Sequence, residues 1–174
     1  EMVELIYLPE PDEDSLLIEQ FDGYFQLKEL DWNYYKKKYE DIHRMDRILK
    51  AEVDSPDHYK VAKQADVLML FYLFSAPELK TLFKQLGYPF EYETIPKNIE
   101  YYVQRTSYGS TLSWVVHSWV LARSDRKRSW NFFLKALQSD IEDIQGGTTQ
   151  EGIHLGAMAG TVDLIQRGST GIET

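Results

Sequence analysis

Three short stretches of the sequence bring together residue types that can hold a polar ligand. Lys63-Gln64 stands beside the most apolar run in the chain, residues 67–74. An ammonium and an amide there either solvate a helix end or reach a cavity and hydrogen-bond a polyhydroxylated ligand. Thr106-Ser107-Tyr108-Gly109-Ser110-Thr111 lies directly ahead of an apolar helix. Hydroxyls and free N–H groups at such an entrance make an anion site without a formal positive charge, or Ser110 or Thr111 simply caps its own helix. Gly146-Gly147-Thr148-Thr149-Gln150-Glu151-Gly152-Ile153-His154 repeats the theme with a Glu and a His. Thr148 with Glu151 reads as a capping box. His154, in the first helical turn, occupies an end of the helix that does not favour a cation. The two loops form one site only if they converge in space, which spacing alone does not decide.

The rest of the composition narrows the chemistry. The 174 residues carry 28 acids, 19 Lys plus Arg and a formal net charge of −9, with no cysteine. Disulfides, thiolate metal sites and Cys nucleophiles are therefore excluded. A pI near 4.9 argues against a general nucleic-acid binder, which needs clustered Lys and Arg. The four histidines, His43, His58, His117 and His154, include no pair at i, i+4, so no metal site is expected. GxxxxGK[ST], HExxH and GxSxG are all absent. The longest apolar run is far too short to span a bilayer, and the first residues lack the features of a signal peptide. A cytoplasmic location is the expectation. Aromatic residues, 14% of the chain, should mostly fill cores, with some free to act as platforms for sugar rings.

These loops need elements to position them. Residues 1–20 hold seven acids and no Lys or Arg, with Pro9 and Pro11, and read as an irregular entry segment. That segment opens on half an amphipathic pattern (Met2, Leu5, Ile6) and does not look like a natural beginning. Asp22-Gly23 within 16–27 predicts a tight loop or short hairpin. Helical spacing predicts helices over 41–53, over about 56–74, from Ser75-Ala76-Pro77-Glu78 to Gly87, over 96–105, 111–123, 129–144 and 151–166. The tail 167–174 reads as an exit from the helical region. Six or seven helices without a parallel-sheet pattern make the fold class all-α, either a compact bundle or an arc of helical hairpins from a larger toroid.

Four blocks, in order, carry a resemblance over nearly the whole chain: Ile18-Glu19-Gln20-Phe21-Asp22-Gly23-Tyr24, Lys63-Gln64-Ala65-Asp66-Val67, Thr106-Ser107-Tyr108-Gly109-Ser110-Thr111-Leu112-Ser113, and Asp143-Ile144-Gln145-Gly146-Gly147-Thr148 with Glu151-Gly152-Ile153-His154. The chain resembles the family-65 glycoside hydrolases and phosphorylases, which include maltose, trehalose and kojibiose phosphorylases. The resemblance implies an (α/α)6 barrel catalytic domain, with residues 1–174 as its C-terminal half. The general-acid Glu would then lie upstream and a β-sandwich downstream, both outside this chain, and the chain alone is expected to be inactive. No residue here is assigned as the acid.

By the same resemblance Lys63 and Gln64 bind the sugar, while Ser107, Ser110, Thr111 and His154 form a phosphate pocket. A disaccharide and inorganic phosphate are the implied partners, with no cofactor, nucleic acid or membrane. An exposed barrel face could support a homo-oligomer or other association. The implied reaction is inverting phosphorolysis of an α-glucosidic disaccharide to a β-sugar 1-phosphate. The alternatives are inverting hydrolysis of a disaccharide such as trehalose or kojibiose, and a non-catalytic helical interaction module. Inverting hydrolysis needs two carboxylates roughly 6.5–9.5 Å apart, whereas phosphate is already an anion, so phosphorolysis is preferred; Glu151 is the candidate second carboxylate. One departure stands out. Phosphorylases of the family commonly place His and an acid where this chain has Tyr108 and Gly109. Tyr keeps a donor but cannot become cationic, and Gly is expected to free the backbone beside the anion site.

Overall fold

In a computed structural model, which describes residues 9–144 and 149–169, the chain forms α1 (Trp32–Lys38), α2 (Met45–Ala51), α3 (Asp66–Leu73), α4 (Ala76–Leu86), α5 (Thr94–Val103), α6 (Thr111–Leu121), α7 (Arg126–Gln138) and α8 (Leu155–Asp163). Among the described residues there is no strand beyond isolated bridges, and no helix is long and apolar enough to cross a membrane. The fold is all-α. The opening residues 1–8, the 145–148 part of the glycine–threonine loop with the Thr148 half of its expected capping box, and the tail 170–174 lie outside the described residues.

Helix α6 is the centre of the packing, with nine of its 11 residues buried. α7 runs back along it: Ser129 donates to the Ser118 carbonyl at 2.7 Å, and the His117 and Phe132 rings lie 5.3 Å apart, which fixes an antiparallel pair. α8 runs parallel to α6. A Cβ on Gly160 would stand 2.6 Å from Val115 Cγ1, and further along both helices Gly168 lies against the Trp119 ring. The Arg167 guanidinium stacks on the same ring, 4.5 Å from its centre. A larger core joins α3, α4, α5 and α6 through Leu68, Leu79, Tyr102 and Val116, and a smaller one seats α2 on α1 through Tyr35, Met45 and Leu49.

Helix boundaries follow local chemistry where that chemistry is strong. Glu78 accepts the Ser75 N–H and hydroxyl at 2.7 Å each, and Gly87 ends α4 at φ +80°, as read from sequence. Elsewhere there are corrections. The helix expected over 56–74 is only α3. Pro56–His58 makes a single 3₁₀ turn, and residues 59–65 are an irregular, bent segment with bridges at Tyr59 and Ala62, because part of their backbone is claimed by neighbours. Lys60 N–H donates to the Lys28 carbonyl at 2.7 Å, Ala62 N–H to the Arg105 carbonyl at 2.9 Å, and Ser107 N–H to the Ala62 carbonyl at 2.8 Å. Of the tight loop or hairpin expected over 16–27, the tight loop is what forms, with the Tyr24 N–H donating to the Phe21 carbonyl at 3.0 Å, and there is no hairpin. Gly23 does turn the chain, at φ +84°, but a 3₁₀ turn Tyr24–Gln26 follows it. Residues 16–18 are instead stapled to α5, where buried Asn98 donates to the Leu16 carbonyl and accepts the Ile18 N–H, each at 2.8 Å.

α7 begins earlier than expected because Asp125 caps it, accepting the Arg128 N–H at 2.9 Å, and it stops at Gln138. Of the apolar row Trp130, Phe133, Leu134, Leu137 and Ile141 that the spacing picks out, Phe133 is buried and the other four are exposed; Ala136 is buried with it. α8 begins at Leu155 rather than 151, after a 3₁₀ turn Thr149–Glu151, and continues as a π-helical turn, Leu164–Ser169.

Candidate functional site

The irregular segment that enters α3 and the loop ahead of α6 are knitted into one unit. The Ser110 hydroxyl donates to Gln64 Oε1 at 3.2 Å, the Ser113 hydroxyl donates to the Lys63 carbonyl at 3.0 Å, and the Ser107 hydroxyl donates to the Ala62 carbonyl at 3.3 Å. Ser110 has the extended backbone of an N-cap residue, yet its side chain makes no capping bond. Its hydroxyl is turned to Gln64, which leaves the first-turn N–H groups of α6 without that side-chain partner. Ser107 and Thr111 are buried beside it. The structure thus brings together Lys63, Gln64, Ser107, Ser110 and Thr111.

Lys63 reaches over Gly109. A Cβ at Gly109 would meet the His43 carbonyl oxygen at 2.5 Å and Lys63 Cγ at 3.0 Å. The glycine is needed for close approach, because the left-handed residue in the loop is Tyr108, at φ +58°, and not Gly109. The expectation that Gly109 supplies backbone freedom is therefore corrected. Tyr108 is directed inward: its ring centre lies 4.9 Å from that of His117 and 5.1 Å from that of Phe132, and its hydroxyl donates to the Val103 carbonyl at 3.0 Å. Burial pushes the Tyr108 hydroxyl well above the usual tyrosine range. His117 is a core residue. Its Nδ1 donates to the Ser113 carbonyl at 2.6 Å, and burial lowers its pKa to about 4. A cleft of about 240 Å³ opens beside Ser107 and Tyr108, with Trp32, Lys36 and His43 on its walls.

His154 is the N-cap residue of α8, not a first-turn residue. Because α6 and α8 are parallel, its helix entrance lies at the same end as Thr111. Gly160 is about 7.5 Å along α8 from Leu155, and Val115 is about 6 Å along α6 from Thr111, at a rise of 1.5 Å per residue. Among the described residues no hydrogen bond joins His154 to the Lys63–Thr111 group. Asp140 holds it instead: one carboxylate oxygen lies 2.5 Å from His154 Nδ1, and the other accepts its backbone N–H at 2.8 Å. Burial, the largest influence on Asp140, acts to raise its pKa, but the His154 hydrogen bonds outweigh it and hold the carboxyl below its ordinary value. Asp140 is absent from the sequence-based site. Three acids crowd 140–143, and nothing local marks one as turned inward.

Helices run antiparallel and parallel about a buried central helix, with loops gathered at their entrances, an arrangement that bundles and helical barrels share. The fold superposes with a TM-score of 0.66 on a solved structure assigned as a kojibiose phosphorylase from the human microbiome, at 28% identity over 95% of this chain and 21% of that one. These helices are part of an (α/α)6 barrel. The sequence profile of the glycosyl hydrolase family 65 central catalytic domain matches residues 1–163, and the chain belongs to that family. It is 56% identical over 157 residues to an uncharacterized glycosyl hydrolase of Mycobacterium tuberculosis, covering 90% of this chain and 12% of the relative. It is 44% identical over 161 residues to the trehalose 6-phosphate phosphorylase of Lactococcus lactis, covering 92% and 21% respectively. To the kojibiose phosphorylase of Thermoanaerobacter brockii it is 32% identical over 174 residues, covering 99% and 20%. The chain therefore spans between about an eighth and a fifth of the length of these relatives.

Proposed function

We propose that this chain supplies the sugar-binding and phosphate-binding half of the active site of an inverting phosphorylase acting on α-glucosidic disaccharides. The observation that carries the proposal is the Ser110–Gln64 hydrogen bond, which ties a hydroxyl-bearing helix entrance to the lysine–amide pair. Lys63 and Gln64 bind the hydroxyls of the sugar. Ser107, Ser110, Thr111 and His154 receive inorganic phosphate. A phosphate oxygen attacks the anomeric carbon from the face opposite the glycosidic oxygen, the C1–O bond breaks, and a carboxylic acid outside this chain protonates the departing oxygen. An α-glucoside thereby yields a β-sugar 1-phosphate and a free sugar. The phosphorylase names of the Lactococcus and Thermoanaerobacter relatives support the reading.

Hydrolysis is the second reading. It is favoured by Tyr108, whose hydroxyl is committed to the Val103 carbonyl rather than offered to an anion. The deciding experiment incubates the protein carrying this chain with trehalose, kojibiose, maltose and trehalose 6-phosphate, with and without phosphate. Phosphate-dependent formation of a β-sugar 1-phosphate is expected. Free glucose released at the same rate without phosphate would establish hydrolysis.

A further inference from the structure

We infer that Asp140 is a positioning residue for His154, fixing which ring nitrogen faces the bound anion; the inference rests on the phosphate reading above. The Asp140 side chain is only 7% exposed, whereas the His154 side chain is 33% exposed. The carboxylate is ionised and can only accept, so the proton between it and the ring sits on His154 Nδ1. That leaves Nε2 as the ring nitrogen not engaged by Asp140. In the neutral ring Nε2 accepts a hydrogen bond from a P–O–H group, and in the protonated ring it donates one to a phosphate oxygen. The second Asp140 oxygen holds the His154 backbone N–H, so ring and backbone are clamped by one group.

Asp143, at φ +48°, accepts the Thr149 N–H at 3.2 Å. Two carboxylates just beyond α7 thus suspend the 149–154 segment from both its ends. Asp140 reaches the His154 side chain as well as its backbone N–H, and this double contact is what assigns it the positioning role.

The test is a double-mutant cycle in the full-length enzyme. In Asp140→Asn the amide oxygen still accepts the backbone N–H, but its NH₂ group cannot accept from Nδ1–H. D140N is expected to raise the KM for phosphate about tenfold or more, the scale of losing one charge-assisted hydrogen bond, and to leave the KM for the disaccharide within about twofold. In the H154A background D140N should change the phosphate KM no further. A D140N that shifts both KM values together, or that weakens phosphate equally with His154 absent, would overturn the inference. So would an H154A with a phosphate defect beside a D140N without one, and then the phosphate reading survives. An H154A with no phosphate defect overturns both. Should D140N fail to fold, Asp140→Glu, which keeps the charge but displaces the acceptor by one methylene, is read by the same criteria.

Discussion

The His43 carbonyl oxygen and Gly109 approach so closely that any Cβ at position 109 would stand 2.5 Å from that oxygen. The obstacle is backbone and cannot rotate away. Gly109→Ala is therefore expected to displace the Ser107–Thr111 loop and cost about 1–3 kcal/mol of stability, the range for overpacking a filled site. Urea denaturation checks the stability, and activity should fall with it. A variant as stable and active as the parent would mean that the loop is looser than its contacts indicate.

Gly160 plays the corresponding part between α6 and α8, where an added Cβ would meet Val115 Cγ1 at 2.6 Å. Here the neighbour is a side chain. Gly160→Ala alone should destabilise the protein, and a second change, Val115→Ala, should recover part of the loss by opening the contact. Additive losses in the double variant would show that the two helices do not meet at these positions.

Acid should weaken the fold through His117. Its ring stays neutral in the folded protein down to about pH 4, against an ordinary 6.5. Between those values the unfolded chain takes up a proton that the folded chain refuses, so this contribution is complete above about pH 6.5 and is lost as pH falls toward 4. The loss between pH 7 and 5 should be about 2 kcal/mol. His117→Gln should remove that part of the pH dependence, measured by urea denaturation at both pH values. An unchanged slope would show that His117 does not carry it.

Asn98 serves the N-terminal segment. Its amide serves both Leu16 and Ile18 as well as the Thr94 carbonyl, at 2.7 Å, and it is fully buried. Asn98→Leu would strand the Ile18 N–H and the Leu16 carbonyl away from water, and each such group costs about 1–3 kcal/mol. Hydrogen exchange at Ile18 should rise sharply while that at α4 is unchanged. Equal exchange at Ile18 in parent and variant would show that the staple is dispensable.

The sequence made some of this legible and not the rest. α4 was readable because both ends carry their own signal, Ser75 with Glu78 and then Gly87. The all-α class followed from periodicity, and the Lys63–Gln64 and Ser107–Thr111 stretches stood out by residue type. The non-helical segment 59–65 was not readable, because Lys28 and Arg105, which claim its backbone, are distant in sequence. Periodicity found the Trp130, Phe133, Leu134, Leu137 and Ile141 row but could not say that Phe133 alone of these is covered. Tyr108 looked like a ligand-facing donor until its left-handed backbone turned it toward His117. Asp140 was hidden for a similar reason: its role depends on a residue in another element.

In the proposed site, sugar and oxyanion are gripped side by side, by Lys63 and Gln64 on one hand and the two helix entrances on the other. Steady-state kinetics of Lys63→Ala and His154→Ala in the full-length enzyme, varying disaccharide and phosphate independently, test it most directly. Lys63→Ala is expected to raise the disaccharide KM about tenfold or more with a smaller effect on phosphate, and His154→Ala to do the reverse. Equal losses for both substrates in both variants, or none in either, would contradict it.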